Sequence, residues 1–260
     1  MTIDFDLHTH TTYSDGYDMR EMAEAAERAG LAGIGFTDHC LPYEDPFGRR
    51  TEYDLEETYV RRRRDIDEVR ASTDVDIYDA VELNYDPNHE SEIRTFLDEA
   101  GFDYAIGSVH YADEYYVMEN ESFVDRSESV KRTAIETYVD WQVRLIESGL
   151  FDVIGHVDVT QRRPSIRGAM NEGQYRRIAE ALAGSDTALE INAGRLDRSY
   201  ATVHPHPDFL SVFRDGDISL VAGTDAHAPD QVQNRNRLLS SFAEETGLQF
   251  DGIETVLTRE

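Results

Sequence analysis

Short apolar runs that end in polar clusters alternate along the chain with longer stretches in which apolar positions recur every three or four residues. The first pattern predicts buried strands and the second amphipathic helices. Strands are expected at the lead-in to Asp6–Gly16 and over Leu31–Phe36, Val75–Leu83, Tyr104–Val109, Asp152–Ile154, Ala188–Asn192 and Ile218–Ala222. Helices are expected over Asp18–Ala29, Asp54–Arg70, Asn88–Glu99, Ser127–Ser148 and Asn171–Ala183, with a shorter one near Pro207–Arg214 and another after His227. Asp18 is placed to cap the first helix and Gly30 to stop it. The segment Cys40–Tyr53, with prolines at 42 and 46, reads as a loop able to overhang one end of the fold, and residues 111–125 read as a polar, aromatic rim loop. The run Arg61–Arg64 reads as a solvated face, because four consecutive residues cannot all face one side of a helix.

Seven strand-helix repeats, with polar side chains just past nearly every strand, predict a single α/β domain over residues 1–260, a (β/α)7 TIM-like barrel whose strand exits converge on one mouth. A doubly wound open sheet is the alternative; it gathers ligands only at a topological switch point and explains six ligand-bearing exits poorly. His8 and His10 sit two apart at the end of the first strand and so share a face, with Asp15 on the next turn. His39, Glu82, His110, His156, Asp225 and His227 occupy the later exits. Nitrogen and carboxylate ligands in this arrangement suit zinc, manganese or iron, and nine of them exceed what one ion can use, so a site of two or three divalent ions follows if they converge. A lone histidine at any one of these tips would carry no such weight, since single histidines are mostly ordinary core or surface residues.

Composition narrows the picture further. The 260 residues carry 53 acids against 25 bases, a net charge of -28 spread along the whole chain, with Lys131 as the only lysine. This is the surface expected of a salt-adapted protein, whose self-repulsion is screened in concentrated salt; a melting temperature highest in dilute buffer would contradict it. The same field opposes non-specific nucleic-acid binding. No apolar run reaches membrane-spanning length and the N-terminus lacks a signal-type segment, so a cytoplasmic protein is expected, and the lone Cys40 excludes an internal disulfide. There is no G-x-S-x-G elbow and no phosphate-cradling glycine loop.

The stretches DLHTHTTYSDG, GFTDHC, the strand end at Glu82, IGSVHY, IGHVD and AGTDAH, in this order, resemble the motifs of the PHP (polymerase and histidinol phosphatase) family over nearly the full chain. The resemblance implies a distorted (β/α)7 barrel with a trinuclear metal site. By the family pattern His8, His10, Glu82 and Asp225 would hold a first metal, Glu82 would bridge to a second held by His110 and His156, and Asp15, His39 and His227 would hold a third. Chemistry of that kind uses a metal-bridging hydroxide for in-line attack on phosphorus and needs no side-chain nucleophile.

A phosphomonoester also needs fixed positive charge, for which Arg162, Arg163 and Arg195, on loops after the fifth and sixth strands, are candidates. His204, in HPHP, is either an acid for the leaving alkoxide or a rim residue, while His89 and His206 read as surface positions. Length and motif spacing resemble the stand-alone histidinol-phosphate phosphatases, although SDG in the first motif is closer to more general phosphoesterase members. The leading expectation is hydrolysis of L-histidinol phosphate or a similar small phosphate. The alternatives are a nuclease or nucleotide phosphatase of the same fold, and a non-catalytic metal-binding regulatory module.

Overall fold

A computed structural model of the protein describes residues 3–44, 54–214 and 216–257. The strands are β1 (Phe5–Thr9), β2 (Gly33–Cys40), β3 (Asp76–Asn84), β4 (Tyr104–Ser108), β5 (Tyr111–Ala112), β6 (Tyr115–Tyr116), β7 (Val153–Ile154), β8 (Ala188–Asn192) and β9 (Leu220–Gly223). The helices are α1 (Met19–Ala29), α2 (Leu55–Arg70), α3 (Glu90–Ala100), α4 (Glu128–Glu147), α5 (Glu172–Ala183), α6 (Leu210–Arg214) and α7 (Pro229–Thr246). Seven strands form one parallel sheet in the order β1-β2-β3-β4-β7-β8-β9. The two edges meet through Asp225 N donating to His8 O at 2.8 Å and His10 N to Ala226 O at 2.9 Å, so the sheet curls into a nearly closed barrel. The open-sheet alternative is thereby set aside.

Leu7, Ala80, Tyr104, Ile106, Val153, Ala188 and Val221 fill the lower barrel, and Ile253 and Val256 pack against them from the C-terminal segment, which forms a short 3-10 turn there. The larger core lies between the sheet and the surrounding helices. Capping follows the local sequence. The Asp18 carboxylate accepts from Arg20 N and Glu21 N, and α1 stops at Gly30, whose φ of 77° is a left-handed conformation that glycine adopts without strain.

Three expectations are corrected. The rim segment contains the β5–β6 hairpin. Cys40 closes strand β2 instead of opening a loop, and residues 45–53 of the expected overhanging loop lie outside the described residues. Arg61–Arg64 is not uniformly solvated. Arg62 is fully buried, donating from Nε to Asp38 Oδ2 at 2.6 Å, from Nη1 to Asp79, and to the carbonyls of Phe36 and Ala80. Arg63 reaches Asp79 Oδ2 at 2.6 Å and the Ala100 carbonyl at 2.7 Å. Two strand carboxylates and several backbone acceptors compensate the desolvation of the guanidinium, and these partners lie across the barrel wall where helix periodicity cannot register them.

Candidate metal centre

Alternation along the strands sends one set of side chains into the barrel, and above the apolar layer that set becomes polar. On β3, Ala80 belongs to the lower layer and Glu82, two residues on, stands above it. On β8, Ala188 is followed in the same way by Glu190. In β1 the register with β2 shifts between Asp6 and Thr9, a bulge that lets Leu7 point into the apolar layer while the next residue, His8, joins the polar one. Gly223 makes room for this layer, because a Cβ there would lie 2.0 Å from Glu190 Oε1 and 2.8 Å from the His8 Cβ.

Glu82 is the hub. Its Oε1 lies 2.9 Å from His156 Nε2 and 3.3 Å from His110 Nε2, and it accepts from Ser108 Oγ at 2.6 Å. Its Oε2 lies 2.7 Å from His39 Nδ1, 3.4 Å from His8 Nε2 and 3.7 Å from His10 Nε2. Asp225 Oδ1 is 3.6 Å from both His10 Nε2 and His227 Nδ1, and Asp15 Oδ1 is 3.3 Å from His227 Nε2 and 3.6 Å from His39 Nε2. All nine sequence-predicted ligands therefore meet at one mouth.

Potential ligand atoms within 4.8 Å of one another form three groups: His8, His10 and Glu82; His39, Glu82 and His110; and His10, Asp15, His39 and His227. The groups interlock, with Glu82, His10 and His39 each belonging to two of them.

The donor atoms fit metal ions. His8 Nε2 and His10 Nε2 are buried without a hydrogen-bond partner among the described residues, an expensive arrangement unless something else coordinates them. Ligands about 2.1 Å from a shared ion in tetrahedral or octahedral geometry stand about 3.0–3.5 Å apart, close to the spacings found here. Burial pushes the Glu82 carboxyl up, but the imidazoles of His39, His8 and His110 outweigh it and hold it well below the usual carboxylate range. Asp225 and Asp15 are likewise held low against the effect of burial, Asp225 by the neighbouring His10 and by Arg162, Asp15 by His227 and His39. All three are thus ionised and ready to ligate. His10 is lowered to about 4 by burial and by the neighbouring imidazoles, leaving it neutral. His39 is raised to about 9, because Glu82, Asp15 and Asp225 overcome its burial.

A second tier of residues, absent from the sequence reading, fixes this layer. Glu190 Oε1 lies 2.7 Å from His8 Nδ1, and its Oε2 accepts from His156 N at 2.8 Å. Asp38 accepts from Thr11 N, Thr11 Oγ1 and Ser14 Oγ at 2.7, 2.7 and 2.8 Å, tying down the turn that carries Asp15. Asp6 accepts from Thr224 N at 2.9 Å, Thr224 Oγ1 at 2.6 Å and Asn236 Nδ2 at 3.0 Å, securing the exit before Asp225. Partners of this kind set the orientation of metal-binding histidines. The available signal was a charged residue inside an otherwise apolar strand, as in the ALEIN of β8.

The mouth opens into a cavity of about 380 Å³, on whose wall lie Arg162, Arg163, Arg195 and Arg198 together with the candidate ligands Glu82 and Asp225. Arg162 is buried and committed: Nε donates to His204 Nε2 at 2.9 Å, and Nη2 to Asn192 Oδ1 at 3.0 Å and Asp225 Oδ2 at 3.1 Å. Arg163 and Arg195 are half-buried and form no ion pair among the described residues. Burial and the charge of Arg162 lower both, Arg195 to about 10, so both stay cationic. His204 lies neither on the rim nor over the mouth. It is fully buried behind the cavity wall, with Nδ1 2.5 Å from Asp158 Oδ1 and Nε2 occupied by Arg162, so it has no proton to offer a leaving group in this arrangement. His89 stacks on Tyr43 and His206 opens a 3-10 turn, both partly exposed and away from the ligand groups.

Known proteins share this architecture. A protein of Deinococcus radiodurans named "Probable histidinol-phosphatase" is 32% identical over 239 residues, covering 87% of each chain. The "Histidinol-phosphatase" of Lactococcus lactis is 28% identical, covering 86% of this chain and 84% of its own. The crystal structure of the Lactococcus lactis histidinol phosphate phosphatase, complexed with zinc, L-histidinol and phosphate, superposes with a TM-score of 0.77 at 24% identity and covers 96% of both chains. Residues 6–194, which carry all but two of the predicted ligands, match the PHP domain, and the chain belongs to that family.

Proposed function

We propose that the protein is a metal-dependent phosphomonoesterase that hydrolyses L-histidinol phosphate to L-histidinol and phosphate. The observation that carries this reading is the pair Arg163 and Arg195: two half-buried guanidiniums without a carboxylate partner among the described residues, facing the same cavity as the metal-ligand groups. In a chain with 53 acids, leaving two such cations unpaired beside a ligand cluster marks a place for an external anion. A cavity of about 380 Å³ suits one small ester and not an extended strand. The names of the curated relatives support the substrate.

His8, His10, Glu82, Asp225, His110, His156, Asp15, His39 and His227 would hold two or three divalent ions, zinc, manganese or iron by their donor set. When bound, such ions supply the Lewis acidity that activates water near neutral pH and offsets phosphoryl charge. The chain's own residues do the rest. Arg163 and Arg195 hold the phosphoryl oxygens, and their planar forks fix the orientation of the ester against the ligand layer. Arg162, bonded to Asp225 Oδ2, keeps that carboxylate turned so that Oδ1 faces His10 and His227. Glu190 keeps the His8 ring turned with Nε2 toward Glu82.

Purified protein supplied with manganese in concentrated salt should turn over L-histidinol phosphate in preference to nucleoside bisphosphates and single-stranded DNA. Preference for the nucleotides or the DNA would instead support the nuclease reading. Bound metal with no turnover of any of the three would support a regulatory module.

A further inference from the structure

We propose that His204 is a positioning residue for the phosphate side of the site, a hydrogen-bond acceptor that locks Arg162 in the one orientation serving both Asp225 and a bound phosphate. The inference deepens the phosphatase reading and rests on it.

The chain of contacts begins at Asp158, which is fully buried. Its Oδ2 accepts from Tyr175 Oη at 2.7 Å and from His206 N at 2.8 Å, so the carboxylate has no freedom to turn. Its Oδ1 receives the Nδ1–H of His204 at 2.5 Å. With the proton held on Nδ1, Nε2 is left as an acceptor, and Arg162 Nε donates to it at 2.9 Å. The Tyr200 ring stacks on the imidazole at 5.0 Å with 12° between planes, and paired backbone hydrogen bonds between His204 and Asn192 (3.0 and 2.9 Å) clamp the loop to β8. The imidazole can therefore neither rotate nor withdraw.

Arg162 inherits that rigidity. Its Nε and Nη2 are spent on His204, Asn192 and Asp225, which leaves Nη1 as the donor uncommitted among the described residues, on a side chain that lines the cavity. A proton on His204 Nε2 would set donor against donor and cation against cation. Burial and Arg162 accordingly hold this histidine at about 4, and it stays neutral at working pH.

Two polar variants separate this role from that of an acid. His204→Asn keeps a partner for Asp158 but is too short to reach Arg162, whereas His204→Gln extends an amide oxygen toward the place of Nε2. His204→Asn should raise KM for L-histidinol phosphate, and Kd for inorganic phosphate on the metal-loaded protein, by about tenfold, the worth of one hydrogen bond to a charged group. Metal content should not change, and p-nitrophenyl phosphate, whose leaving group needs no proton, should suffer equally. His204→Gln should restore most of the loss. A fall in kcat confined to the alkyl ester, an unchanged KM, or a glutamine variant no better than the asparagine one would overturn the assignment.

The parent protein gives a second measurement that does not depend on how the variants fold. Nitrogen-15 NMR of the zinc-loaded protein at pH 7 should show His204 protonated on Nδ1 and bare on Nε2, and the opposite tautomer or an imidazolium would overturn it. A parent protein that turns over no ester would sink the phosphatase reading alone, since phosphate affinity and tautomer still judge the positioning role.

Discussion

The two sides of the mouth are built from different basic groups. Around Glu82, Asp15 and Asp225 the basic groups are imidazoles, standing at 2.7–3.7 Å and carried by the exits of β1 to β4, β7 and β9. On the loops past β7 and β8 stand guanidiniums as well, two of which form no ion pair among the described residues. An imidazole can give up its proton and take a metal ion in its place, whereas a guanidinium keeps its charge at any working pH. One side therefore carries exchangeable charge for metal ions, and the other carries fixed charge for an anion. Arg162 joins them, with Nη2 on the ligand Asp225.

The comparison breaks most completely at its hub. Glu82→Ala should remove activity by about a thousandfold or more and lower the metal content measured by mass spectrometry, because two of the three ligand groups share this carboxylate. Near-normal turnover would end the bridging role.

Behind the imidazole side, Arg62→Met leaves Asp38 buried without its counter-charge and Asp79 with Arg63 alone. Denaturant titration should show a loss of about 3–5 kcal/mol, with Asp38 holding the Asp15 turn less firmly. Glu190→Gln weakens the restraint on His8, and zinc affinity measured by competition with a chelator should fall about 10- to 100-fold while inorganic phosphate still binds the fully loaded protein. On the other side, Arg195→Met should raise KM by about tenfold or more with metal content unchanged. The opposite pattern, metal lost and KM kept, would erase the distinction between the sides.

The most gradual effect is with pH. His39 is raised from 6.5 to about 9 in the metal-free protein, so its proton must leave before an ion can take its place. Stability contributed by the protonated His39 beside Glu82 is fully present below pH 6.5 and is lost as pH rises toward 9. Over the same window metal affinity should climb, by at most about tenfold per pH unit for one proton, with proton release visible by calorimetry in buffers of different ionisation heat. Inorganic phosphate binding to Arg195, lowered only to about 10, should not follow that slope.

The sequence by itself determined the class of barrel and which residues are candidate metal ligands. Strand and helix periods are local, and in a parallel barrel every strand exit faces the same mouth, so His8, His10, Asp15, His39, Glu82, His110, His156, Asp225 and His227 could be named without knowing a single contact. It also placed Arg162, Arg163 and Arg195 beside them. Only the tertiary structure decided which ligands neighbour one another, because His39 reaches Glu82 with one ring nitrogen and faces Asp15 with the other.

The folded chain also decided the fate of groups whose partners are remote in sequence. Glu190 meets His8 across 182 positions, and Thr224 meets Asp6 across 218. Arg62, placed by helix period on a solvated face, is drawn inward by Asp38 and Asp79. His204, one of several histidines near a mouth, is set behind its wall by Asp158 and Arg162. Periodicity reports which face of an element is apolar, while the partner that makes a buried charge tolerable is chosen by the fold.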